Sequence, residues 1–314
     1  MKTNLIKIHI ATVALLLSTL NPQLSTVFAQ GSLTPPGAPA AMMKTLTQVE
    51  PRTAITNTAS TYTISVPESY YLTTNLTVSS GNGIAIAASG VTLDLNGFTI
   101  SSTAASATGY GISLNSPLSD ITIVNGHICS GVTNNGSGVY SGSGFAVGIG
   151  YTANSPTNMV VSKVSVSGVL SRGISLGTGN ATVVEACTVT TAGYSGITAS
   201  TINDSVGNDC GNNMAAIWGD QVVNCRGISV AGNGVTASAT ALNCYGQSSS
   251  AIGLSATTAQ NCYGQSGSGT GLSATIAQNC YGYSTSSIGL SATIANSCWI
   301  GHGTTNITYK YNMP

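Results

Sequence analysis

Charge is nearly absent from this chain. Its 314 residues include eight Lys and Arg and eight Asp and Glu, 5% in all, with a formal net charge of zero. No basic patch is present, so nucleic acid and anionic membrane surfaces are not expected partners. Carboxylates stop altogether at Asp220, after which there is neither Asp nor Glu. A hydrolytic acid–base pair, or a hard-cation site built on carboxylates, therefore cannot lie in the C-terminal part. Beyond the first 29 residues no apolar run is long enough for a membrane helix, so no integral membrane segment is expected in the mature chain.

What the chain does have is repetition. Asn243-Cys244-Tyr245-Gly246, Asn261-Cys262-Tyr263-Gly264 and Asn279-Cys280-Tyr281-Gly282 recur 18 residues apart, and Ser297-Cys298-Trp299-Ile300 keeps the step. A Gly-Leu-Ser-Ala phrase follows each of the first three Cys, at Gly253, Gly271 and Gly289. A period this short has no room for a helix pair but holds one turn of a strand solenoid. Weaker versions run upstream, as Gly83-Ile84-Ala85-Ile86, Gly111-Ile112-Ser113-Leu114 and Gly173-Ile174-Ser175-Leu176. Period-2 alternation within each gives one inward and one outward face. The 38 glycines and low charge would also suit disorder, but a disordered chain has no reason to keep register.

Lys2 and Lys7 precede an apolar stretch from Ile10 to Leu20, and Val27-Phe28-Ala29 follows with small residues at cleavage spacing. Residues 1–29 read as a secretory signal, which places the mature chain outside the cell, at its surface or in the periplasm. Residues 30–60 read as a linker and N-terminal cap, with a short capping helix over 42–50 ended by Pro51. Residues 61–300 read as the solenoid, and 301–314 as a C-terminal cap strand.

Of the eight cysteines, Cys225, Cys244, Cys262, Cys280 and Cys298 share the repeat and predict a column of buried, reduced thiols acting as small hydrophobes. Rungs roughly 4.8 Å apart hold parallel side chains too far apart for usual disulfide geometry. Cys129 and Cys210 fall outside that column. Asn243, Asn261 and Asn279 are expected as an internal ladder at a tight bend.

The Gly-Ile-x-Leu phrases, Val91-Thr92-Leu93-Asp94-Leu95-Asn96-Gly97-Phe98-Thr99-Ile100 and the Asn-Cys steps resemble right-handed parallel β-helix proteins of the pectate lyase-like superfamily. The stretch from Leu33 to Pro39, with Met43-Lys44-Thr45-Leu46 and the ending Thr308 to Pro314, looks like a narrower group of secreted bacterial β-helix repeat proteins. The resemblance implies an all-β, right-handed parallel β-helix, here of about ten coils and roughly 50 Å at one strand spacing per coil. The narrower group implies no reaction.

Few residues point to chemistry. Gly301-His302-Gly303 mimics a polygalacturonase motif whose partner motifs are missing, which leaves His302 as a loop residue. The Gly-Gly-x-Gly-x-Asp signature of calcium-binding rolls is also missing, so no metal or other cofactor is expected. Asp204 and Asp209 are the best carboxylate pair for a catalytic site, with Asp204 read into the inward column; an Asn/Asp/Gly turn is the plainer alternative. Asp94 is expected to point outward, and Asp120 and His127 show no evident partner. One residue past each Cys come Tyr245, Tyr263, Tyr281 and Trp299, read as an outward aromatic strip for an extended glycan, with Gln247 and Gln265 beside it. The alternative is that the rings only brace the sheet. Ser255, Ser273 and Ser291 form a single hydroxyl row, short of the paired Thr arrays that bind ice. The sequence thus favours a non-enzymatic extracellular protein, structural, adhesive or glycan-binding, over a polysaccharide lyase, hydrolase or epimerase.

Overall fold

In a computed structural model, which describes residues 50–56, 59–115 and 117–313, the chain is an all-β parallel solenoid of about 13 turns. The signal, the linker and the capping helix expected over 42–50 lie outside the described residues, save Glu50 at the helix end.

Each turn contributes to three columns of stacked parallel strands. The first column begins at Thr53–Ile55 and runs through Ser69–Leu72, Thr92–Asp94 and residues 121–124 to Thr182–Glu185 and on to 309–311. Leu76–Val78, Thr99–Ser102, Thr188–Ala192, Val206–Cys210, Arg226–Ser229, Tyr245–Ser248 and Tyr263–Ser266 belong to the second. Tyr62–Ile64, Ile84–Ile86, Tyr110–Leu114, Val147–Tyr151 and Ile174–Ser175 open the third. About 13 turns replace the ten expected. The extra turns rest on strands of three or four residues near the N-terminal end, too short to show a period on their own.

Inward positions are filled as alternation requires. Ile84, Ile112, Ile149, Ile174, Ile197, Ile217, Val235, Leu254, Leu272 and Leu290 stack in one fully buried line through the third column. Cys187, Ser205, Cys225, Cys244, Cys262, Cys280 and Cys298 occupy equivalent places at the bend into the second column, all buried. The column is thus longer than the five-residue repeat, with Ser205 standing in for one thiol. All eight cysteines are free, and each buried thiol in the column lies within bonding distance of the carbonyl two residues back, as Cys225 does with Val223 at 3.1 Å.

The Asn ladder is external rather than internal. Asn243, Asn261 and Asn279 are exposed, and their φ values of 54°, 54° and 50° place them in the left-handed region. Asn tolerates that region better than other side-chain-bearing residues. The carboxamides still bond from rung to rung, Asn243 to Asn224 at 3.1 Å and Asn261 to Asn243 at 3.2 Å.

The regular stack is interrupted once by an antiparallel hairpin, Gly131–Asn134 with Tyr140–Ser143. The last strand, Trp299–Tyr311, extends across all three columns and is largely exposed.

Candidate functional site

The expected carboxylate pair does not assemble. Asp204 is exposed, with φ of 49°, and accepts a hydrogen bond from Asn224 at 3.0 Å. It is the counterpart of the bend asparagines, and Ser205 takes the inward place beside it. Counting from Asn203 put Asp204 inward; alignment by the left-handed bend residue moves it out. Asp209, within strand Val206–Cys210, accepts from Thr191 at 2.8 Å, from the Tyr140 hydroxyl at 3.2 Å and from Asn134. Tyr140 and Asn134 belong to the hairpin, so Asp209 clasps that insertion to the second column. Burial, with Asp209 second, holds the Tyr140 hydroxyl protonated well above its ordinary range.

Other carboxylates are engaged too. Asp94 pairs with Arg52 at 3.1 Å. Asp120, far from lacking partners, accepts from Ser119 and Asn158, donors that lower its pKa. Asp220 accepts from the Gly179 amide at 2.8 Å. Among the described residues no cluster of His, Cys, Asp and Glu is arranged to hold a metal ion. His302 lies beside Tyr283 and contacts the Ser284 carbonyl at 2.7 Å.

Arg226, Tyr245, Tyr263, Tyr281 and Trp299 do stand opposite one another on successive rungs. The rings of Tyr245 and Tyr263 stack at 5.2 Å and 17°, and those of Tyr263 and Tyr281 at 4.8 Å and 11°. Arg226 lies over the Tyr245 ring at 5.5 Å. Such stacking turns ring faces onto each other and along the column, leaving edges to solvent. Gln247 and Gln265 lie on the same face, and their carbonyl oxygens accept from the Tyr245 hydroxyl at 2.9 and 3.1 Å. Trp299, 57% exposed, is the open member of the strip.

A second aromatic surface was not read from the sequence. On the outward side of the third column, Gly150, Ser175, Thr198, Trp218 and Thr236 align on five successive rungs. Two adjoining hollows follow this line and share Met214 and Trp218. The larger has a volume of about 320 Å³ and continues past Asn233 and Thr236. The smaller is walled by Tyr151, Tyr194 and Arg172. Together they form an axial cleft spanning roughly 19 Å at about 4.8 Å per rung. Gly150 is tightly set, since a β-carbon there would lie 3.0 Å from the Val147 side chain. The 211–216 loop raises Met214 as a wall, and it packs so closely over Gly232 that a β-carbon there would lie 1.7 Å from the Met214 carbonyl.

Ser175 and Thr198 form the floor, with hydroxyls that have no hydrogen-bond partner among the described residues. Arg172 is exposed, sits 5.4 Å above the Tyr194 ring, and has no carboxylate partner among the described residues. No Asp or Glu lines either hollow. The signal that could have found the cleft is rarity: Trp218 is one of two tryptophans and Arg172 one of three arginines. Neither sits in the uniform repeats, where the pattern draws the eye.

Among the described residues no helix is long and apolar enough to cross a membrane. Searches of protein-family models, curated proteins and solved structures find no match to this chain.

Proposed function

We propose that the protein is an exported, non-catalytic glycan-binding solenoid with a structural or adhesive role, and that its principal contact surface is the axial cleft of the third column. The observation that carries this reading is the cleft itself: three aromatic side chains, two floor hydroxyls without partners among the described residues and a neutral far end, on rungs that repeat along one line. Aromatic walls with a few placed polar groups are the usual make-up of a small-ligand site. Hydroxyls that have only water as partner can exchange it for sugar hydroxyls with little change in hydrogen-bond count. The absence of a carboxylate from the walls favours retention over turnover by a lyase, hydrolase or epimerase, which works through acid–base groups. Trp299 and the hydroxyl edges of Tyr245, Tyr263 and Tyr281 offer a secondary contact along the second column.

The test is retention on a panel of immobilised polysaccharides, with supernatants assayed for released sugars. The full chain is expected to be retained without product. Trp218→Ala should weaken retention at least tenfold, about 1.4 kcal/mol, at unchanged melting temperature. Sugar release, or retention indifferent to Trp218→Ala, would overturn the assignment.

A further inference from the structure

The cleft is electrostatically lopsided. Arg172 stands at the end walled by Tyr151 and Tyr194, while the other end, at Asn233, Thr236 and Ala251, carries no charge. The guanidinium carbon lies 5.4 Å from the centre of the Tyr194 ring, a cation–π contact that uses the ring face and none of the N–H donors a planar or tetrahedral oxyanion would take. Among the described residues Arg172 forms no ion pair and no Asp or Glu lines the cleft beside it, in a protein where charge is otherwise sparse.

Resting on the glycan-binding reading, we infer that the cleft binds its ligand in one direction, with an anionic sugar, carboxylated or sulfated, at the Arg172–Tyr194 end and uncharged sugars toward Asn233 and Thr236. A ligand laid the other way would set its anion where no cation answers it and leave Arg172 unpaired. Charge-assisted hydrogen bonds are about twice as strong as neutral ones, so one anionic group sets the direction. Arg172 is exposed, so its contribution falls with salt.

The experiment is calorimetric titration of the full chain with three tetrasaccharides: one wholly neutral, one with a single uronic acid at the non-reducing end, and one with it at the reducing end. One of the two acidic isomers is expected to bind about tenfold more tightly than both the neutral probe and its mirror isomer at low salt. Arg172→Gln should equalise all three without abolishing binding, whereas Trp218→Ala should weaken all three together. Equal affinity for all probes in the wild-type chain would overturn the directional site and leave glycan binding standing. Binding by none of them, in a chain also not retained on the polysaccharide panel, would overturn both. Preference for both acidic isomers equally would show charge attraction without direction and also defeat the inference.

Discussion

From residue 186 onward, at each bend from the first column to the second, one residue takes the left-handed backbone, and the next turns a small side chain inward. The pairs Ala186-Cys187, Asp204-Ser205, Asn224-Cys225 and Asn243-Cys244 all follow this rule. Sulfur fills the corner and is held from ionising. Burial pushes the Cys187 and Cys225 thiols up to about 11 from an ordinary 9.0, and Cys210 up to about 12. The linkage is direct. Below pH 9 both folded and unfolded thiols are protonated and the shift has no effect on stability. Above it the unfolded chain loses protons that the folded chain keeps, so stability falls as pH rises from about 9 towards the folded values near 11. Denaturant unfolding followed from pH 7 to 11 should show that decline. The double variant Cys187→Ser/Cys225→Ser should make it shallower without removing it, because Ser already serves at position 205 and does not ionise there, while Cys210, Cys262, Cys280 and Cys298 stay raised. An unchanged alkaline slope in the variant would refute the role given to these thiols. The cysteine period was legible in the sequence because it repeats without error. The inward or outward sense of Asp204 was not, because one position of slip exchanges the two faces, and only the backbone angle shows which residue holds the bend.

At the scale of the element, the tyrosine column joins three short strands, Tyr245–Ser248, Tyr263–Ser266 and the start of Tyr281–Asn296. Each has few residues with which to hold register, and the stacked rings add side-chain pairing to the backbone ladder. Tyr263 stacks on both neighbours, so its removal breaks two contacts at once. Tyr263→Ala should cost about 1–3 kcal/mol, two ring pairs at about 0.5–1.5 each, whereas Tyr263→Phe, which keeps the stack, should cost far less. Thermal melts of the two variants would decide it: equal losses would mean that stacking is not the contribution. Behind the rings a buried serine row, Ser229, Ser248, Ser266 and Ser284, accepts from the amide three residues on and donates to the previous turn. That row went unread because serine near a strand end carries no sign of burial in its residue type. Alternation did reveal that the tyrosines share a face. It could not show whether ring faces or edges meet solvent, since that depends on the χ angles of neighbours one rung away. The cleft was hidden for a related reason: Tyr151, Arg172, Tyr194 and Trp218 lie on turns of unequal length, so no single period joins them.

For the whole molecule, the solenoid makes stability a matter of neighbours. Every rung touches the one before and the one after, so an added rung with the consensus sequence gains a full interface without disturbing the others. The last regular turns satisfy this condition most strictly: Leu254, Leu272 and Leu290 are fully buried and in register, as are Ala259, Ala277 and Ala295. The final strand differs, with Tyr309 and Tyr311 more than half exposed. A second copy of residues 262–279, inserted after Asn279, should therefore be accepted as one more turn. It would place an added tyrosine in the stack, an added Asn in the bend ladder and an added leucine in the core. The particle should lengthen by about 4.8 Å, measurable by small-angle scattering, and its melting temperature should hold or rise. A variant that aggregates or melts well below the parent would show that the C-terminal strand is fitted to one particular rung rather than to the repeat. If instead the longer chain folds, the cleft, which lies on earlier turns, should bind its ligand as before, separating the part of the molecule that sets length from the part that recognises.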